Sequence, residues 1–194
     1  MTTNDDLARA LARVALHDRA AFEFVYRATC AHLLGLAHRM LGHRERAEEV
    51  LQESFMNVWH NAGAFNASVA TPMTWLINIV RNKAIDALRS GKTERASTVA
   101  LDDDAMAVAG DESLQPQRLL EEGLTRAKIG DCMAALGASQ RQALALAYYR
   151  GMAHSEIAEA LGAPLGTAKA WVRRGLDKLK ACLEVVGVRQ HPLT

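Results

Sequence analysis

Between Lys169 and Lys180 the segment "KAWVRRGLDKLK" carries five basic side chains, Lys169, Arg173, Arg174, Lys178 and Lys180, against one acid, Asp177. The formal net charge of the 194-residue chain is only +1, so the positive charge is a local concentration. Cations at three- and four-residue steps share one side of a helix, and what such a side can do is hold phosphates and read base edges. Bond-making chemistry has little to stand on. The sequence has no glycine-rich phosphate loop, nucleophile elbow or metal-ligand spacing, so no catalytic residue is expected. His38 and His43, with Cys30 and His32 nearby, follow no ligand motif and read as surface or packing positions; neither a metal nor a cofactor is expected.

A basic helix reads DNA only if a second element sets its angle. Upstream, Ile157, Ala158 and Leu161 form a short apolar face, Gly162-Ala163-Pro164 interrupts it, and Leu165, Ala168, Val172, Leu176 and Leu179 form another. Two helices joined by a short glycine-containing turn make a helix-turn-helix, with Lys169 and Arg173 one turn apart and directed away from the apolar stripe. Helical patterns at about 129–136 and 139–149 precede it, completing a domain over 127–185. From Leu136 to Cys182 there are seven basic residues and three acids, whereas Ala96 to Asp131 holds eight acids and three bases. That acidic stretch, with Gly, Pro and no sustained period, reads as a flexible linker over 96–126.

The remainder, about 5–95, reads as a bundle of helices. Phe22, Val25, Tyr26, Leu33, Leu36, Ala37 and Met40 define one over 19–41, stopped by Gly42. The next, about 44–61, buries Ala47, Val50, Leu51, Ser54, Phe55 and Val58 and places Glu49, Gln52, Glu53 and Asn57 on other faces. Thr71 and Pro72 look like an N-cap and first helical residue, and the helix they start buries Leu76, Ile79, Val80, Ala84, Ala87 and Leu88. Asn78, Arg81, Asn82, Lys83, Asp86 and Arg89 lie largely elsewhere. Trp75 is either a core anchor or the border of a nucleobase pocket.

With 49% hydrophobic and only 5% aromatic residues, the composition favours an all-α fold of two small domains. No apolar run approaches the roughly 18 residues of a membrane span, and "MTTNDDLARALARV" is too acidic for a signal peptide, so the expected location is cytoplasmic, with no membrane insertion. Cys30, Cys132 and Cys182, odd in number and far apart, are expected to be reduced.

Three segments in order resemble the extracytoplasmic-function sigma factors of the bacterial sigma-70 family. "RAEEVLQESFMNVWHNAGAF" is similar to that family's region 2.2, "TWLINIVRNKAIDALR" to its regions 2.3 and 2.4, and "HSEIAEALGAPLGTAKAWVRRGLDKLK" to its region 4.2. The resemblance implies a promoter-specificity subunit, not an enzyme, built of a region 2 bundle and a region 4 helix-turn-helix. It implies that Glu49, Gln52, Glu53 and Asn57 bind core RNA polymerase at the beta-prime clamp helices, with the beta flap as a further contact. It assigns Phe65, Asn66, Trp75, Asn82, Lys83 and Arg89 to the minus-ten element, the loop from Phe65 to Thr71 receiving a flipped-out base. Thr167, Lys169, Ala170, Arg173 and Arg174 fall to the minus-thirty-five element, and an anti-sigma factor is implied as a further partner.

Departures from the family pattern accompany it. Ala153 stands where relatives carry a Ser or Thr cap, so the cap moves to Ser155 or is lost. Trp171 replaces a frequent basic residue and either packs on a neighbouring helix or stacks on Arg174. "FNASVATP" lacks the family's aspartate-proline pair and arginine, so no minus-ten preference carries across. The competing reading is a helix-turn-helix regulator whose N-terminal helices dimerise or sense a ligand.

Overall fold

The computed structural model describes residues 3–91 and 127–187, and the chain divides into two units. The linker assigned to 96–126 lies outside the described residues, as does the end of the first expected domain, 92–95. Within the described residues every regular element is helical.

The first unit contains α1 (Asn4–Val14), α2 (Arg19–Leu41), α3 (Arg44–Asn61), a 3₁₀ turn (Ala62–Ala64) and α4 (Pro72–Gly91). The first helix, α1, is set by a capping box: Thr3 Oγ1 accepts the Asp6 N–H at 3.1 Å and Asp6 Oδ2 accepts the Thr3 N–H at 2.9 Å. Asp18 caps α2 by accepting the Ala21 N–H at 3.1 Å, and Arg13 from the last turn of α1 reaches the same carboxylate at 2.6 Å. Gly42 ends α2 in the left-handed region (φ 73°), which only glycine adopts without strain. Thr71 accepts the Thr74 N–H at 3.2 Å, so threonine cap and proline start occur where the sequence puts them.

The long α2 packs on α1, α3 and α4, around Leu11, Val14, Val25, Leu33, Val58, Leu76 and Val80, all nearly inaccessible to solvent. Each such aliphatic side chain contributes roughly 1.5–3 kcal/mol of burial. The buried hydroxyls of Thr29 and Ser54 are satisfied within their own helices, Thr29 Oγ1 donating to Val25 O and Ser54 Oγ to Val50 O, both at 2.7 Å. Tyr26, expected in the apolar stripe of α2, is instead exposed; its ring lies 4.8 Å from that of Phe55, covering the core edge.

The second unit contains α5 (described over 127–134), α6 (Ala138–Tyr149), α7 (His154–Ala160) and α8 (Leu165–Val185). Leu136, Ala143, Leu144, Ile157, Ala158, Ala168 and Val172 form its core, and Trp171, partly buried, packs against them. Two expectations are corrected. The buried stripe of α8 is Ala168, Val172 and Gly175, whereas Leu165 and Leu176 are exposed; at Gly175 the helix approaches α6 too closely for a larger residue. Cys132 and Cys182, expected reduced, form a disulfide with Cα atoms 5.7 Å apart, since the fold lays α5 beside the C-terminal half of α8. Beside it, Lys128 Nζ donates to Val186 O at 3.1 Å. Cys30 is free and half-buried.

Candidate nucleic-acid interface and acidic face

The short α7 ends in a turn that fixes where α8 begins. Gly162 adopts φ 60° and the Ala163 N–H reaches back to Ala158 O at 2.9 Å, closing the helix end and freeing the chain to change direction. Pro164 then caps α8 through its carbonyl, which accepts the N–H groups of Thr167 at 2.9 Å and Ala168 at 3.0 Å. At the start of α7 the lost cap is half replaced: Ala153 offers no side-chain acceptor, but its own N–H donates to Glu156 Oε2 at 2.7 Å. The cap has not moved to Ser155.

This turn presents the first half of α8. Lys169, Arg173 and Arg174 are exposed, while Thr167 and Ala170 are half-buried beside them. Among the described residues the three cations form no salt bridge, so their charge faces solvent uncompensated. A rigid cationic helix face of this kind attracts phosphates and can place guanidinium forks against base edges.

The first unit carries the opposite character on α3. Glu49, Gln52 and Glu53 are exposed and Asn57 is half-buried, its carbonyl accepting from Asn61 Nδ2 at 3.2 Å. Met56, 58% exposed, adds an apolar surface beside the acids. Acidic and amide groups around an exposed apolar side chain suit a protein partner with basic groups.

The residues assigned to the loop and α4 divide. Phe65 and Trp75 meet edge to face with ring centroids 5.7 Å apart at the loop–helix junction, and both residues are half-buried. Trp75 is thereby neither a buried anchor nor a free platform. Asn66 is exposed, yet its Oδ1 accepts from the Ser68 N–H at 2.9 Å and the Ser68 hydroxyl at 2.7 Å, and so also shapes the loop. On α4, Asn82 and Arg89 are exposed with Asn78 and Asp86. Lys83 is half-buried and turns to α3, where its Nζ lies 3.2 Å from Glu53 Oε2. Periodicity could not reveal that contact, because it depends on the angle between two helices. Among the described residues no group of side chains could hold a metal ion, and no helix is long and apolar enough to cross a membrane.

Comparison with known proteins covers both units. The Sigma-70 region 2 family matches residues 25–94, and the Sigma-70, region 4 family matches residues 126–179. The ECF RNA polymerase sigma factor SigK of Mycobacterium bovis (strain BCG / Pasteur 1173P2) is 33% identical over 195 residues, covering 94% of this chain and 96% of its own. SigK of Mycobacterium ulcerans is 32% identical, covering 93% and 95%. Among solved structures, Rhodobacter sphaeroides SigE in complex with the anti-sigma ChrR is 27% identical, covering 90% of this chain and 99% of that one with a TM-score of 0.46.

Proposed function

The chain belongs to the extracytoplasmic-function RNA polymerase sigma factors, and we propose that its two units divide promoter recognition as their surfaces suggest. The unit containing α8 binds the minus-thirty-five element, Lys169 and Arg173 entering the major groove, Thr167 and Ala170 flanking them, and Arg174 holding the backbone. The observation that carries this is the uncompensated exposure of Lys169, Arg173 and Arg174 directly after the helix-turn-helix corner. Phosphate neutralisation supplies affinity in every sequence, and bidentate contacts to base edges add selectivity.

In the first unit, Glu49, Gln52, Glu53 and Asn57 on α3 meet core RNA polymerase at its beta-prime clamp helices. The beta flap contacts the second unit. Phe65, Asn66, Trp75, Asn82 and Arg89 serve the minus-ten element. Flipping a base out of the duplex costs a few kcal/mol, and apolar and stacking contacts to the half-buried Phe65 and Trp75 offset part of that cost. The chain acts in the cytoplasm as a specificity subunit without catalytic activity of its own. An anti-sigma factor covering the same faces holds it inactive.

Copurification with core polymerase tests the reading directly. Charge reversal at Glu49 and Glu53 should weaken the complex while leaving the helical content intact, since both are exposed. Full core affinity in that variant would remove α3 from the interface. A dimer that binds a palindromic operator without polymerase would establish the regulator reading instead.

A further inference from the structure

Asn82 and Lys83 are adjacent in sequence but not in surroundings. Asn82 shares the exposed side of α4 with Asn78, Asp86 and Arg89, whereas Lys83 lies at the seam with α3. The same seam is closed one turn away by Arg46, whose Nη2 donates to Ala87 O at 2.8 Å. Positions 83 and 87 are one turn apart on α4, so both contacts come from a single side of that helix.

We propose that Lys83 is a positioning residue for polymerase recognition, holding the Glu53 carboxylate from α4, and not a contact to promoter DNA. This rests on the reading of α3 as the polymerase-binding face. Glu49 and Glu53 are exposed like charges one turn apart, an arrangement that repels and spreads both side chains. The Lys83 ammonium, 3.2 Å from Glu53 Oε2, offsets that repulsion and restricts the rotamers of Glu53. Its side chain is 36% exposed and that of Glu53 remains 55% exposed, so the carboxylate is fixed without being covered. A carboxylate already oriented loses less conformational freedom when a basic partner group arrives.

The test is a double-mutant cycle on the full chain, read as affinity for core polymerase. Lys83→Met should lower that affinity about two- to fivefold, the range of an exposed ion pair, and Lys83→Arg should restore it. In a Glu53→Gln background, Lys83→Met should have no further effect. Holoenzyme assembled with saturating core should show the same salt dependence of promoter binding for wild type and Lys83→Met. Three results would overturn the inference. A salt slope reduced by about one with unchanged core affinity would make Lys83 a phosphate contact. An equal loss with and without Glu53 would show that Lys83 acts independently of it. Full core affinity in Glu53→Gln, with wild-type helicity, would instead remove Glu53 from the polymerase-binding face and the role of Lys83 with it.

Discussion

Gly175 on α8 faces Leu144 on α6 so closely that a Cβ at position 175 would stand 2.9 Å from Leu144 Cδ1 and 3.2 Å from its Cγ. In an exposed helix interior, Gly→Ala gains about 1 kcal/mol of helix propensity. Here the methyl group would push into a buried leucine, and overpacking costs about 1–3 kcal/mol. We therefore expect Gly175→Ala to destabilise the second unit on balance, and Gly175→Leu to do so severely. A thermal melt of the full chain checks it. The cost of Gly175→Ala should shrink in a Leu144→Val background, where the neighbour has been trimmed. A stabilised Gly175→Ala variant would contradict this packing.

The Cys132–Cys182 bond closes a loop spanning 50 positions that includes all of α6 and α7 and most of α8. Constraining a loop of that length stabilises the folded state by about 4 kcal/mol in the chain-entropy account. Reductant, or the Cys132→Ser/Cys182→Ser pair, should lower the melting temperature of the second unit and leave the first unchanged. Thiol counting under denaturing conditions should give one reactive thiol, Cys30, before reduction and three after. Three thiols in the unreduced protein would contradict the pairing.

What the sequence made legible was local. Gly42 after an apolar run, Thr71 before Pro72 and Gly162 inside a short corner each act through their own backbone, so neighbouring residues sufficed to place them. What it hid depended on distance between elements. Leu176 fits the apolar period of α8 as well as Gly175 does, and only the approach of α6 turns the glycine inward. Fifty positions separate Cys132 from Cys182, and no spacing rule joins them. The site followed the same division: exposure of Glu49, Lys169 and Arg173 was readable from periodicity, whereas the tie between Glu53 and Lys83 required the seam of two helices.

The Asp6 carboxyl is held down to about 2 from its ordinary 3.8, chiefly by the Thr3 N–H, then by the Thr3 hydroxyl and Arg9. A depressed folded-state value means that its contribution is complete above about pH 4 and is lost as pH falls toward 2. The first turn of α1 should therefore fray over that interval. Thr3→Ala removes the hydroxyl and should move Asp6 back toward its ordinary value. A carboxyl-carbon NMR titration reads this residue alone, and an Asp6 titrating near 3.8 in the wild-type chain would contradict the capping box.

Lys169 and Arg173 lie four residues apart on the exposed side of α8, and their chemistry separates their effects. An ammonium is a point charge suited to one phosphate, whereas a guanidinium can also grip a guanine edge through two parallel hydrogen bonds. Lys169→Ala as a lost phosphate contact should weaken binding to every promoter alike and reduce the salt slope by about one. Arg173→Ala as a lost base contact should cost about 1–3 kcal/mol and relax preference at one position of the minus-thirty-five element. Neither change should alter affinity for core polymerase through α3, which belongs to the other unit. Holoenzyme binding measured over several salt concentrations, on single-base variants of the element, resolves the two signatures. Wild-type affinity, salt slope and selectivity in the double variant would move the recognition surface away from α8, because no other arrangement of these side chains against DNA leaves all three quantities unchanged.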